Sequence, residues 1–300
     1  MDLRSLALGF TGDKPISRQI HAGGLSGLNN RENNVLPTIS IGPLTIPTYT
    51  LLRVTAVFVL LAGLALRLHR GRWPLTGRDI LLLTPFLQVG LVLGAMLEVA
   101  LPYLADHWFR GAPLPPGWFG GQRWLGALAG GSLVGYLFFR FRRLPVGRCF
   151  DLFAIPLPLV VAVGRVGCLL RGCCYGWETS RWPALTLPDV YGVWASRYPT
   201  RLASIGANLL IFILLAGGEW WANRTGRRPF DGFWFLLFVL LHCGQRFFFE
   251  FWRADTPHLI GPFTWQQLYA AIGLGLAVWG LVRGAHRPTS LAGESIEIRS

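Results

Sequence analysis

From Tyr49 onward the chain alternates long apolar runs with short arginine-bearing segments. Seven runs approach the roughly 20 residues needed to cross hydrocarbon, at 49–68, 80–103, 123–139, 151–172, 202–221, 230–252 and 264–282. In lipid only helices or closed barrels satisfy the backbone, and these runs are far too long for barrel strands. The pattern predicts an all-α, polytopic membrane protein of about seven transmembrane helices. Residues 1–36 are polar and rich in Gly and Asn. Their first ten positions are too short and too weakly apolar for a signal-peptide core, so this stretch is read as a flexible tail. Residues 37–287 then form the membrane domain and 288–300 a cytoplasmic tail. No internal repeat is evident, which leaves an inverted-repeat transporter without support.

Composition agrees with the hydropathy pattern. Charged residues make up only 14% of the 300, against about 25% in soluble domains, and mean hydropathy is +0.42. The net charge of +13 would elsewhere suggest a nucleic-acid face, but Lys14 is the single lysine and the arginines sit in clusters between apolar runs. Such clusters mark cytoplasmic loops and anionic headgroups, so no nucleic acid is expected as a partner. Arg67, Arg70, Arg72 and Arg78 follow the first run and Arg140, Arg142, Arg143 and Arg148 the third. Arg224, Arg227 and Arg228 follow the fifth, and Arg283 and Arg287 the last. The positive-inside rule places the N-terminus outside, the C-terminus in the cytoplasm, and loops 104–122, 173–201 and 254–263 outside. The basic tail, with Arg4, Arg18 and Arg31, argues mildly against this orientation. Of five cysteines, Cys168, Cys173 and Cys174 cluster at a spacing that fits neither paired CxxC zinc ligands nor a thioredoxin-like motif.

Ionisable groups inside spans are expensive and mark candidate sites. His242, Arg246, Glu250 and Arg253 fall at i, i+4, i+8 and i+11, on one stripe of a helix otherwise rich in Phe. Arg253 can snorkel, whereas Arg246 lies about 10 Å deeper and needs a partner, with Glu250 the nearest candidate. The fourth run ends in Arg165 among Gly164, Gly167, Gly172 and Gly176, a glycine density that lets another backbone or a lipid approach. Two deep guanidinium groups toward one side suggest an anion site, because Arg grips phosphate oxygens through bidentate hydrogen bonds. Glu98 is expected to pair with an arginine across the bundle.

These residues carry a resemblance. Ser40-Ile41-Gly42-Pro43-Leu44 with Tyr49, Gly164-Arg165-Val166-Gly167-Cys168, and Arg171-Gly172-Cys173-Cys174-Tyr175-Gly176 resemble motifs of the bacterial prolipoprotein diacylglyceryl transferases. So do Tyr198-Pro199-Thr200-Arg201-Leu202, the stretch from His242 to Arg253, and Thr264-Trp265-Gln266-Gln267. The resemblance implies transfer of the diacylglyceryl group from phosphatidylglycerol to the lipobox cysteine thiol in the signal peptide of a prolipoprotein. It implies a multi-pass protein of the bacterial inner membrane in contact with membrane lipids, with no metal or organic cofactor. Arg165 and Arg246, with His242 and Glu250, become the candidate catalytic residues. Gly164, Gly167, Gly172, Gly176, Arg171, Tyr49, Arg253 and Gln267 become candidates for substrate binding.

The chain also departs from that pattern. Cys168, Arg171 and Cys173 replace the signature's Asn and Glu positions, His242 replaces a Tyr, Met96 an Arg, and Ala129 stands where the family has a His before Gly130-Gly131. The base is therefore open between His242 and Glu250. Two other readings compete: a phospholipid-binding or lipid-moving protein derived from the family without catalysis, and an intramembrane protease using Ser132 and His242, which leaves Arg165 and Arg246 without a role.

Overall fold

The computed structural model describes residues 38–41, 44–71, 73–114, 116, 123–227, 229–256 and 258–286. Both tails, Gly42, Pro43, Arg72, Arg228 and Arg287 lie outside the described residues. Among the described residues eight helices follow one another: α1 (Thr48–Arg70), α2 (Gly77–Arg110), α3 (Trp124–Phe141), α4 (Val146–Ala154), α5 (Pro156–Arg171), α6 (Thr200–Thr225), α7 (Phe233–Phe249) and α8 (Trp265–Ala285). A single 3-10 turn, Glu250–Trp252, continues α7. Three two-stranded antiparallel hairpins accompany them among the described residues: β1 (Thr38–Ile41) with β2 (Leu44–Pro47) ahead of α1, β3 (Leu185–Pro188) with β4 (Trp194–Arg197), and β5 (His258–Ile260) with β6 (Phe263–Thr264).

Among the described residues six helices are long and apolar enough to cross a membrane, and α4 with α5 makes a seventh span when the bent pair is counted as one. The protein is a multi-pass membrane protein, and its surface agrees. Phe58, Leu81, Ile213 and Leu276 are more than 60% exposed, while Arg201, Asn208 and His242 are buried at 1% or less. Apolar side chains outside and polar ones inside suit a bilayer as solvent and would not suit water.

Two boundaries differ from the hydropathy reading. The fourth run is two helices bent by 43°, because Pro156 opens α5 and, with Pro158, removes backbone donors and crowds the preceding turn. The first of the pair begins earlier than expected, at Val146, and its buried Asp151 accepts from the backbone N–H groups of Gly232 and Phe235 at 2.8 and 3.0 Å, so it holds the start of α7. The second run extends past 103 to Arg110, and its last turns occupy part of the expected loop 104–122. A Thr76/Asp79 capping box starts α2, and Gly111, left-handed at φ 65°, stops it.

Glycines set the crossing of α2 and α3. A Cβ on Gly94 would lie 2.1 Å from the Gly126 carbonyl oxygen, and one on Gly130 would lie 2.1 Å from that of Gly90. Only hydrogen fits there, and backbone-to-backbone approach brings the helices together without a hydrophobic drive. Glu98 belongs to this seam. Its Oε2 accepts from the Gly126 N–H, and no carboxylate–arginine pair within 4 Å forms at this residue among the described residues, contrary to the expected ion pair.

Candidate active site

A cleft of about 640 Å³ runs between α1, α2, α3 and α5. One end is apolar, lined by Leu64, Leu83, Leu87, Phe139 and Phe153 among others. The opposite end is lined by Tyr49, Arg53, Arg165, Arg171, Arg246, Arg253 and Gln266, with Cys168, Cys173 and Cys174 on its wall. Beside it lies a pocket of water-molecule size into which Arg165, Arg201, Arg246 and Arg253 converge with Cys174.

The polar end is built by a loop that returns over its own helix. α5 stops at Gly172, left-handed at φ 81°, where a Cβ would strike the Asp189 carbonyl oxygen at 2.2 Å. Cys174 is also left-handed, at φ 63°, a conformation that costs free energy for a non-glycine residue and persists only where its surroundings impose it. Those surroundings are visible. The Cys174 N–H donates to Asp255 at 3.0 Å, its carbonyl accepts from the Thr200 hydroxyl at 2.9 Å, and Trp177 N–H donates to the Trp252 carbonyl at 3.0 Å. Gly176 pairs with Arg253 as an isolated bridge. The segment after α5 is thus fastened to the segment after α7, and Arg165 and Arg253 line the same small pocket beside the join.

The hairpin β3–β4 braces this loop. Arg197 is 4% exposed, bonds Asp189 at 3.2 Å and Glu178 at 2.9 Å, and stacks over Tyr175 at 4.9 Å. Arg201 is spent partly on backbone, donating to the carbonyls of Pro188 at 2.7 Å and Leu169 at 3.4 Å.

The expected stripe on α7 divides. Arg246 pairs with Glu250 at 2.8 Å and also reaches Gln266 at 3.4 Å, while Arg253 shares Glu250 at 3.4 Å and holds Asp255 at 2.8 Å. Arg165 has no carboxylate partner among the described residues, and its Nη1 lies 3.6 Å from the Cys174 sulfur. His242 is fully buried, stacked on Phe238 and edge-on to Trp124, with Nδ1 near Asn208 at 3.2 Å and Gln245 at 3.3 Å. Neither His242 nor Glu250 is among the residues that line the cleft or the pocket, although Glu250 holds two arginines that do.

Other expectations are also redistributed. Gly164 and Arg171 line the cleft, and Arg171 lies 5.5 Å over the Tyr49 ring. Gly167, Gly172 and Gly176 instead admit protein: their missing side chains make room for Tyr49, Asp189 and Tyr198. Gln267 closes a capping box with Thr264 and donates to the Phe247 carbonyl, so it fixes the start of α8. Its neighbour Gln266 is the one that reaches Arg246. Ala129 is exposed on α3 and does not line the cleft. Ser132 lines the cleft but His242 does not, which separates the pair a protease would need.

Charge around Cys174 has a direction. Hydrogen bonding with Cys168 and Cys173, then the Arg253 and Arg165 guanidiniums, hold the Cys174 thiol well below the ordinary thiol range. Bonding with Cys168 and Cys174 pushes Cys173 up.

Comparison with known proteins agrees with this architecture. Residues 37–283 match the family model described as prolipoprotein diacylglyceryl transferase. The phosphatidylglycerol–prolipoprotein diacylglyceryl transferase of Symbiobacterium thermophilum is 31% identical over 260 residues, covering 82% of this chain and 93% of that protein. The enzyme of that name from Trichormus variabilis is 28% identical over 252 residues, covering 81% and 87%. That from Bordetella bronchiseptica is 30% identical over 245 residues, covering 80% and 87%. With a match that spans nearly all the described helices, the chain belongs to the prolipoprotein diacylglyceryl transferase family.

Proposed function

We propose that this protein transfers the diacylglyceryl group of phosphatidylglycerol to the thiol of a lipobox cysteine in a prolipoprotein signal peptide. The supporting observation is one cleft with an apolar end for acyl chains and an arginine-lined end for a phosphate. The relatives carry both substrates in their names. The host membrane is the bacterial inner membrane, with loop 173–201 outside, where an exported preprotein presents its cysteine.

In the reaction the sulfur forms a bond to the glyceryl carbon that bears the phosphate. The C–O bond breaks, its electron pair leaves on glycerol 1-phosphate, and the proton lost by the thiol goes to water or to that phosphate. Arg165 and Arg246 bind that phosphate and stabilise charge as it grows on the leaving oxygen, the form of catalysis in which fixed donors contribute most. Arg246 is held in aim by Glu250 and Gln266, and Arg253 closes the far side. Arg171 and Tyr49 line the wall toward the headgroup. Membrane insertion follows from the chemistry, since the lipid donor enters from the bilayer.

The test is reconstitution of the purified protein with phosphatidylglycerol and a lipobox peptide, reading peptide mass gain and glycerol 1-phosphate together. Both should appear in equal amounts. Phosphatidylglycerol binding without either product would convert the reading to a non-catalytic lipid-binding member of the family, which the absence of His242 and Glu250 from the cleft favours. Restored growth on depletion of a host's own transferase would confirm the reaction in the cell.

A further inference from the structure

Three of the five cysteines lie on one wall of the cleft, and the proposed reaction does not yet use them. Cys168 comes from the last turn of α5, while Cys173 and Cys174 come from the loop that folds back over it. The three sulfurs all lie within 4.8 Å of one another. None is in a disulfide, and Cys149 and Cys243 are buried in the core instead. Sulfurs held about 2.3 Å from a tetrahedral zinc ion are about 3.8 Å apart, so the cluster needs a contraction of at most about 1 Å to hold one. The left-handed turn at Cys174, fastened to Asp255 and Thr200, is what brings the third sulfur into the group.

Resting on the transferase reading above, we propose that Cys168, Cys173 and Cys174 form a three-thiolate site for a zinc ion whose fourth position, facing the cleft, takes the lipobox thiol of the substrate. Three observations meet here. Sulfur donors select a thiophilic ion over Mg²⁺ or Ca²⁺, and three protein ligands are the number found in zinc sites that keep a position for substrate. The thiols share a wall with Arg165 and Arg246, which places a bound substrate sulfur beside the phosphate to be displaced. The surroundings also suit an anionic centre: zinc with three thiolates carries one negative charge, a fourth thiolate makes two, and the Arg165 guanidinium, 3.6 Å from the Cys174 sulfur, has no carboxylate partner among the described residues.

The site supplies what His242 and Glu250 do not. On coordination the lipobox thiol gives its proton to water, because a zinc-bound thiol is deprotonated. The bound thiolate then forms the S–C bond with an electron pair, and the pair of the breaking C–O bond leaves on the phosphate.

The test uses the full-length protein purified in detergent from zinc-supplemented cells. Elemental analysis is expected to find zinc equimolar with the wild-type chain, lost in Cys168→Ser, Cys173→Ser and Cys174→Ser and kept in Cys243→Ala. X-ray absorption should show three sulfur neighbours, becoming four when a lipobox peptide is added and staying at three with its Cys→Ser analogue. Peptide mass spectrometry locates any disulfide. Zinc-free wild-type protein, a Cys168–Cys173 or Cys173–Cys174 disulfide, or a fourth neighbour that ignores the peptide would each overturn the proposal. Full transfer by zinc-stripped protein would overturn it while leaving the transferase reading intact. Zinc and peptide sulfur bound without any transfer would do the reverse.

Discussion

The two ends of the bundle handle arginine differently. At the end where α1 and α3 finish, Arg67 forks onto Glu219 at 2.7 and 2.8 Å and also reaches the Asp151 carbonyl, and Arg142 meets Asp79 at 2.6 Å. Each of these arginines has a carboxylate of its own. At the end where α5 and α7 finish, Arg246 and Arg253 share Glu250, Arg253 also holds Asp255, and Arg165 and Arg201 have no carboxylate among the described residues. Carboxylates match these arginines one for one at the first end, and guanidiniums outnumber carboxylates at the second. An uncompensated guanidinium in a membrane protein is costly, so its persistence beside a cleft points to function in a way that a paired one does not.

The sharpest way to break the comparison is at the unpaired end. Arg165→Lys and Arg246→Lys keep the charge but lose the planar fork. Each is expected to lower transfer on the order of 10²- to 10³-fold while insertion and phosphatidylglycerol-independent stability are kept, measured by glycerol 1-phosphate release per folded molecule. Rates within threefold of the parent would make these arginines structural, like Arg67.

At the paired end the expected loss is in stability. Glu219→Gln strands the Arg67 fork, which is 12% exposed, and should destabilise the protein by about 2–3 kcal/mol after allowance for its partial exposure. Thermal unfolding in detergent measures this, with the rate per folded molecule unchanged. A selective loss of rate would erase the distinction between the ends.

Neighbouring glutamines give a smaller and finer contrast. Gln266→Ala removes the second contact of Arg246 and should cost transfer about tenfold, in line with the loss of a residue that orients a binding group. Gln267→Ala removes the α8 cap and should cost about 1 kcal/mol of stability with little change in rate. Exchange of these two phenotypes would move the catalytic contact to Gln267.

The gentlest test asks which side of the membrane each end faces. Reporter fusions at Arg70 and Arg143 should signal cytoplasm and one at Asp189 the exterior, with transfer unaffected by the first two. A cytoplasmic signal at Asp189 would put the cleft's polar end in the wrong leaflet for an exported peptide.

Apolar run length was enough for the spans, because crossing hydrocarbon requires about 20 consecutive apolar residues whatever their neighbours are. The arginines of the site were also legible: Arg165 and Arg246 interrupt such runs, and a charge there needs a reason. What periodicity could not show was direction. His242 and Arg246 share a stripe on α7, yet one turn of helix separates a ring sealed between Phe238 and Trp124 from a guanidinium that lines the cleft. Gln266 and Gln267 are adjacent in sequence and point to different tasks. Glycine density near Arg165 signalled close approach without saying what approaches, and at Gly172 and Gly176 it is the chain itself. The three thiols were visible as a count with an unfamiliar spacing, and only the left-handed turn at Cys174 and its fastening to Asp255 gathered them. Hydrophobic length and buried charge are one-dimensional properties, so the sequence by itself determined the membrane architecture and singled out the deep arginines. Which groups face the cleft depends on contacts between segments far apart in the chain, and that the tertiary structure alone decided.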